Sequence, residues 1–280
     1  MGKKKSRISF EDFYEDIFTS RWPRLREALL QESRYYQLST GSSDGRAEPV
    51  ERAPQQRDSY FLDEASYHTA MQLDPQPEDR VLDMCAAPGG KTLVLMHRFP
   101  RIELTSNEWS GTRRERLRRV LQEHLREEQL QRVRITGFDA RVWFRHEQSA
   151  YDRILLDVPC SSERHVLHSS AHLNKWSPAR TKHLAIQAFT MLASALEVVK
   201  PGGLIIYSTC ALSSLENDGV LEKLHKKRAG RFELVPLHLP FGEHTRYGWQ
   251  VLPDTAEGRG PMYAAGIRRM DTSTTSRRIR

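Results

Sequence analysis

Residues 80 to 92 read Arg-Val-Leu-Asp-Met-Cys-Ala-Ala-Pro-Gly-Gly-Lys-Thr. The apolar run from Val81 to Cys85 has the length of a strand, and Lys91 to Arg98 reads as a helix. The small residues between them form the turn that joins the two. Gly89 and Gly90 allow close backbone approach to a ligand at the helix N-terminus. Gly90-Lys91-Thr92 matches the end of a phosphate loop, G-x-x-x-x-G-K-[ST]. Cys85 stands where that loop needs its first glycine, however, and Pro88 removes an amide donor from the cradle. The dinucleotide fingerprint G-x-G-x-x-G is absent as well. The remaining common ligand for such a turn is S-adenosylmethionine, which has no phosphates to hold; a purely structural turn is the alternative.

Outward from this turn the pattern repeats. A second apolar run, Ile102 to Asn107, precedes an amphipathic stretch, Arg113 to Gln131, in which Leu117, Val120, Leu121 and Leu125 share a face. A third strand is expected over Val133 to Gly137, a fourth over Asp152 to Val158, and a fifth over Leu204 to Thr209. A long helix over 178–199 lies before the fifth, closed by Lys200-Pro-Gly-Gly203. Further elements fall near Asn217 to Lys227, Phe232 to Pro236 and Met262 to Arg268. Strands alternating with helices predict an α/β fold with a mainly parallel sheet and helices on both faces. Right-handed crossovers limit its topology, and its ligands bind beyond the carboxyl ends of the strands. On the N-terminal side, Phe10, Phe13, Tyr14, Ile17 and Phe18 recur at helical spacing, so residues 9–38 read as helical. Residues 39–59 read as a linker, and Phe61 to Leu73 as helix again. The expected division is a helical extension and linker over 1–59, one domain over 60–270, and a basic tail over 271–280.

The chain carries a formal charge of +7, which favours a polyanionic partner, most simply nucleic acid. There is no apolar run of about 18 residues, so no transmembrane helix and no membrane partner are expected. Met1-Gly2 with Ser6 fits a myristoylation pattern, but a short basic arm is the preferred reading. Neither a secretory signal nor a transit peptide is evident, because the residues from Phe10 are too acidic. The three cysteines, Cys85, Cys160 and Cys210, form no C-x-x-C pair, which argues against zinc or a disulfide framework and for a reducing compartment. All three fall at carboxyl ends of expected strands, the first, fourth and fifth. In a doubly wound sheet those strands are neighbours, so the thiols share the ligand-binding rim.

Other residues at that rim gain meaning by position. Glu108, at the end of the second strand, is placed to accept from ribose hydroxyls; alone it is as well read as a solvated loop charge. Asp139, after the third strand, is placed to accept from an adenine amino group. Asp157, flanked by Leu155, Leu156 and Val158, is costly to bury without a partner, and such an environment raises a carboxyl's pKa. Arg113, Arg114, Arg116, Arg118 and Arg119, with Arg277, Arg278 and Arg280 in the tail, are candidates for phosphate contacts. A solvated helix face with Glu115 paired to Arg119 accounts for the first five equally well. Trp143, Trp176 and Trp249 read as core or rim packing.

Taken together, Asp-Met-Cys-Ala-Ala-Pro-Gly-Gly-Lys-Thr, Asp-Val-Pro-Cys and Tyr-Ser-Thr-Cys-Ala-Leu-Ser-Ser-Leu-Glu-Asn-Asp resemble the Nol/Nop/Sun family of RNA cytosine carbon-5 methyltransferases, densely over residues 60–227. The segment Tyr60 to Ser66 is similar to the helix that precedes the family's first strand. Asp157 to His165 and the late Gly-Pro-Met-Tyr-Ala-Ala-Gly-Ile-Arg-Arg are most similar to its mitochondrial ribosomal-RNA branch. The resemblance implies a Rossmann-like class I methyltransferase with a mainly parallel seven-stranded sheet, using S-adenosyl-L-methionine. It implies Cys210 as the nucleophile on carbon 6, Cys160 as the residue that assists release, and Asp157 at the ring nitrogen. Lys91 is placed to lower a thiol's pKa or to orient Asp157. Cys85, Ala86, Ala87, Pro88, Gly89, Gly90, Lys91, Glu108, Asp139 and Asp157 would line the cofactor pocket. The same resemblance implies an RNA substrate, a ribosomal subunit precursor and an mTERF-like helical repeat protein as partners, and a mitochondrial location. It shows no appended RNA-binding domain. The competing function is a ribosome-assembly factor that keeps the fold as a binding module and methylates little.

Overall fold

A computed structural model describes residues 8–39, 47–50 and 59–271. The basic arm at the start and the arginines at 277, 278 and 280 lie outside the described residues. The strands are β1 (Tyr35–Ser39), β2 (Ala47–Val50), β3 (Ser59–Asp63), β4 (Arg80–Asp83), β5 (Glu103–Asn107), β6 (Val133–Thr136), β7 (Tyr151–Asp157), β8 (Val199–Thr209), β9 (Phe232–Val235), β10 (Glu243–His244), β11 (Trp249–Val251) and β12 (Met262–Arg269). The helices are α1 (Phe10–Phe18), α2 (Trp22–Leu30), α3 (Glu64–Met71), α4 (Gly90–Arg98), α5 (Gly111–His124), α6 (Glu127–Leu130), α7 (Glu163–Leu167), α8 (Ser170–Lys175), α9 (Pro178–Val198) and α10 (Asp218–Arg228).

The main sheet runs β10-β11-β12-β8-β7-β4-β5-β6, with β9 also on β12. The five strands from β8 to β6 are parallel, while β12 is antiparallel to β8. The middle strands read as unbroken apolar runs because both faces are covered. Val81, Leu155 and Ile206 enter one core with Leu93 and Leu95 of α4; Leu82, Ile154 and Ile205 enter the other with Leu192 and Leu196 of α9. The alternation of each strand thus serves two cores of similar character.

The sheet has nine strands where seven are expected. The seven are present, and the extra two form the β10–β11 hairpin on the half of β12 that β9 leaves open. Other expectations also need correction. Residues 35–38, read as the end of a helical stretch, are strand β1, paired antiparallel with β2 and with β3. The expected linker over 39–59 therefore contains β2, and the start of the expected 61–73 helix belongs to β3. Aromatic-rich segments here take strand form because a partner strand satisfies their backbone groups, which periodicity within one segment cannot reveal. Lys200 to Gly203, expected as a closing turn, extend β8. Helices α7 and α8 were not anticipated.

The N-terminal helices are not loosely attached. Ser9 caps α1 by accepting from the Asp12 amide. Phe10, Tyr14, Trp22, Leu25 and Leu29 pack with Val166, Trp176 and Leu212 in a third core. Arg164 donates to the carbonyl of Ala28 at 3.2 Å, and His168 lies 3.1 Å from that of Leu29. These groups cover carbonyls at the end of α2, where a helix leaves acceptors unpaired and carries partial negative charge.

Candidate active site

The order β8-β7-β4 makes the three cysteine-bearing strand ends neighbours. At the first of them, Thr92 of α4 donates to the buried carboxylate of Asp83 at 2.7 Å, tying strand end to helix start. Burial pushes Asp83 up to about 7, only partly opposed by the Thr92 bond. Gly89 sits at φ +124°, and a Cβ there would meet Val120 and Leu117 of α5 at 3.1 and 3.2 Å. At Gly90 it would meet Leu62 and Tyr60 of β3 at 2.8 and 2.9 Å. Close packing against protein by itself demands a glycine at both positions.

Beyond this turn lies a cavity of about 210 Å³ whose lining includes Cys85, Glu108, Trp109, Arg113 and Asp139. Burial, reinforced by the charges of Asp83 and Glu108, pushes the Cys85 thiol far up, so it is a neutral lining group. Glu108 is 5% exposed; its Oε1 accepts from the Ser110 amide at 2.8 Å and its Oε2 lies 3.2 Å from Arg113 Nη1. Arg113 also donates to the Ala87 carbonyl at 2.8 Å, fastening the glycine-rich turn to the β5 end. Ala86 donates its amide to the Asn107 carbonyl, while Pro88 is exposed on the outside of the turn. The Asn107 side chain donates to the carbonyls of Met84 and Phe138 and accepts from the Phe138 amide, joining three strand ends. Asp139 is held in a two-pronged pair by Arg141, which keeps its pKa below the ordinary carboxylate value. The Arg141 guanidinium in turn lies 5.1 Å from the Trp109 ring.

The second cluster lies over β7 and β8. Lys91 donates to Asp157 Oδ2 at 2.7 Å, and Ser208 donates to Asp157 Oδ1 at 2.7 Å. Burial works against the Lys91 ammonium, but Asp157 and the Cys210 sulfur outweigh it and hold its pKa above the ordinary lysine value. The Cys160 and Cys210 sulfurs are 2.8 Å apart. Ser162 Oγ lies 3.1 Å from Cys210 and 3.4 Å from Cys160. The hydrogen bond with Cys210, followed by burial, pushes the Cys160 pKa well up, which favours a proton on Cys160. Cys210 opens onto a larger cavity of about 510 Å³, bounded by Asp63, Ser66, Ser162, Met262 and, from the N-terminal segment, Leu30 and Tyr35.

Of the residues expected from sequence, Lys91, Asp157, Cys160 and Cys210 meet in one cluster, and Cys85, Glu108 and Asp139 surround the smaller cavity. Arg114 spends its guanidinium on the backbone carbonyls of Glu108 and Trp109, and Arg113 divides its own between the Ala87 carbonyl and the Glu108 carboxylate. Glu115 pairs with Arg118, one turn away, rather than Arg119. Trp143 and Trp176 are core residues, and Trp249 is half-buried with its indole donating to the Phe241 carbonyl. Sequence reasoning missed Ser66, Ser162, Ser208 and Asn107. Ser162 and Ser208 each lie within the quoted stretches, but nothing local marks a serine as a ligand of a thiol or carboxylate. Among the described residues no group of three or more His, Cys, Asp or Glu is placed to hold a metal, and no helix is long and apolar enough to cross a membrane.

A doubly wound sheet with a glycine-rich first turn, a buried acid at the end of its second strand, and a ligand cavity between them is a Rossmann-like class I methyltransferase domain. More narrowly, the chain belongs to the 16S rRNA methyltransferase RsmB/F family, which matches residues 70–268. It is 36% identical over 231 residues to the 5-cytosine rRNA methyltransferase NSUN4 of Bos taurus, covering 76% of this chain and 60% of that protein. It is 32% identical over 224 residues to the mitochondrial tRNA (cytosine(34)-C(5))-methyltransferase of Danio rerio, covering 75% and 60%. The fold matches a crystal structure of a methyltransferase homolog protein from Pyrococcus horikoshii with a TM-score of 0.70 at 22% identity, over 93% of this chain and 94% of that one. The chain thus spans about 60% of the length of these curated relatives.

Proposed function

We propose that the protein transfers a methyl group from S-adenosylmethionine to carbon 5 of a cytosine in RNA, through a covalent bond to Cys210. The observation that carries this reading is the pair of sulfurs 2.8 Å apart, set on the rim beside the Lys91–Asp157 ion pair. The smaller cavity fits the cofactor by the chemistry of its donors. The nearly buried Glu108 carboxylate suits two ribose hydroxyls, Asp139 suits an amino group, and the turn from Cys85 to Lys91 through Ala86, Ala87, Pro88, Gly89 and Gly90 closes one side. No phosphate cradle is needed for such a ligand. When bound, it supplies an electrophilic methyl group.

The protein's own residues supply the rest. Carbon 5 of cytosine is a poor nucleophile until a thiolate adds to carbon 6 and makes it enamine-like. Cys210, open to the larger cavity, is that thiolate. Asp157, fixed by Lys91 and Ser208, faces the ring nitrogen and stabilises the proton that this nitrogen takes up as Cys210 adds. Cys160 holds its proton during the addition, as its hydrogen bond and burial favour. In the release step it passes that proton to the departing Cys210 sulfur and takes up the proton lost from carbon 5, so that the carbon 6–sulfur bond breaks as the ring double bond reforms. A paired base cannot reach these sulfurs, so the target cytosine is unpaired or turned out of its helix.

The proposal includes ribosomal RNA as substrate, supported by the likeness to NSUN4, and a mitochondrial location, supported by the likeness to the mitochondrial tRNA enzyme. It includes residues 60–270 as the catalytic unit, residues 1–59 as an extension, and 271–280 as a basic tail. A ribosomal subunit precursor and an mTERF-like helical repeat protein as partners rest on the family resemblance. Cys160→Ala is expected to accumulate a covalent RNA adduct on a denaturing gel, and Cys210→Ala to lose both adduct and methylated product. Full methylation by Cys210→Ala would overturn the assignment.

A further inference from the structure

Beneath the two sulfurs lie two glutamates that the chemistry above does not use. Glu163 is 0% exposed and Glu216 is 1% exposed, and among the described residues no lysine or arginine forms an ion pair with either. Glu163 Oε1 receives the hydroxyls of Tyr14 and Ser161, and its Oε2 accepts from the Leu212 amide at 2.9 Å. Glu216 Oε2 accepts from the Ser161 amide at 3.0 Å, and its Oε1 lies 2.5 Å from the Ser161 hydroxyl. The Glu216 carbonyl accepts from Tyr207 at 2.5 Å. Ser161 follows Cys160 directly, and Leu212 lies just past Cys210. The network therefore spans both cysteine loops, and through Tyr14 it reaches α1.

Counting protons shows that the two acids share one more. The Ser161 hydroxyl touches both carboxylates but carries one proton, so it donates to only one of them. Glu163 already collects donors on both oxygens. The remaining short contact needs a proton on Glu216, giving a chain in which Glu216 donates to Ser161 and Ser161 donates to Glu163. Burial raises both acids; at Glu163 the bonds from Ser161, Tyr14 and Leu212 oppose it, whereas at Glu216 the charge of Glu163 adds to it and pushes the carboxyl up to about 8, which places the proton on Glu216.

We propose that Glu163 and Glu216 are positioning residues for the cysteine pair, sharing one proton through Ser161 so that the Cys160 and Cys210 loops are locked in register. This rests on the roles given to Cys160 and Cys210 above. It makes an asymmetric demand. Glutamine at 216 keeps every bond, since its amide donates to Ser161 Oγ and its carbonyl accepts from the Ser161 amide. Glutamine at 163 does not, because three donors converge on that carboxylate and the amide nitrogen must face at least one of them.

The test compares Glu216→Gln and Glu163→Gln in the full chain, by steady-state kinetics and thermal melting. Glu216→Gln is expected to keep the wild-type kcat and, at about pH 5, where Glu216 is protonated in the folded protein, a melting temperature close to that of wild type. Glu163→Gln is expected to lose roughly 10- to 100-fold in kcat, the scale set by displacing a reacting group by about 1 Å. Its KM for the cofactor should stay unchanged, because that cavity is lined by other residues. Ser161→Ala, which removes a single hydroxyl, provides a milder cut: kcat falls with KM preserved. Equal losses in the two glutamine variants, a larger loss at 216, or an undiminished kcat in Ser161→Ala would each overturn the proposal. Cys210→Ala is assayed alongside. Full activity there sinks the cysteine assignment instead, while the melting temperatures of the two glutamine variants still report on the shared proton.

Discussion

Lys91→Met isolates the ion pair that holds Asp157. The substitution keeps an unbranched apolar stem and deletes the ammonium that sits 2.7 Å from Asp157 Oδ2. At that separation and an effective dielectric constant of about 20, the attraction is about 6 kcal/mol before the cost of removing both charges from water. Breaking a buried pair from one side typically costs about 3–5 kcal/mol, because the remaining charge is left without its partner. The Lys91 side chain is 12% exposed but Asp157 is 30% exposed, and Asp157 keeps its bond from Ser208. Water and Ser208 thus take up part of the deficit, which places the expected loss near the lower end, about 3 kcal/mol at neutral pH. Urea denaturation with linear extrapolation measures it. The pH dependence has a definite sign. The folded protein holds Lys91 above the ordinary value of 10.5, so the pair's contribution is fully present below that pH and fades as pH rises through the folded value. The gap between wild type and variant should narrow there. Adding Asp157→Asn to Lys91→Met should restore most of the stability while leaving the proposed methyl transfer abolished, since a neutral pair no longer strands a charge. A loss below about 1 kcal/mol, or a gap unchanged at high pH, would refute the reasoning.

Gly89→Ala should lower stability by about 1–3 kcal/mol, because φ +124° disfavours any Cβ and the new atom crowds Val120 and Leu117; calorimetry that finds no change would show that the turn adapts freely. Trp176→Ala should cost about 3–5 kcal/mol by opening a void beside Phe10, Phe13 and Tyr14. Limited proteolysis should then cut α1 and α2 first, and uniform resistance would count against their docking through this core. Glu216→Gln should gain stability relative to wild type as pH rises from 4.5 to about 8. In that window the folded wild type holds a proton that the unfolded chain releases, so its stability declines with pH while the glutamine does not titrate. Glu163, Tyr14, Tyr207, Cys160 and Arg180 are titratable and charged groups acting on or beside Glu216. Melting curves of equal separation at pH 5 and pH 8 would show that Glu216 is not the group responsible.

Much of the catalytic frame was legible because it follows from burial along single segments. Runs such as Ile154-Leu155-Leu156 and Ile205-Ile206-Tyr207 are apolar on both sides, and only a covered, largely parallel sheet uses such strands. Once those strands were ordered, their neighbouring ends had to bring Cys160 and Cys210 to one rim. The tyrosines of β1 defeated the same method. Tyr35 and Tyr36 carry no periodicity that separates a strand from the end of a helix, and their conformation depends on pairing with Asp63 and Leu62. The two-cysteine loops were legible as chemistry, yet what holds them was not, since Glu163 and Glu216 meet only because β7 and β8 are adjacent.

By itself the sequence determined the strand order's raw material, the α/β class, and which thiols and carboxylates stand at strand ends, since these depend on how each short segment divides apolar from polar residues. Tertiary structure alone decided the partners: Ser208 on Asp157, Arg113 on the glycine-rich turn, Ser161 between two buried acids, and a cavity wall contributed by Leu30 and Tyr35. Hydrogen bonds and burial of polar groups depend on distances of a few ångströms between segments remote in the chain, and no local pattern encodes those distances.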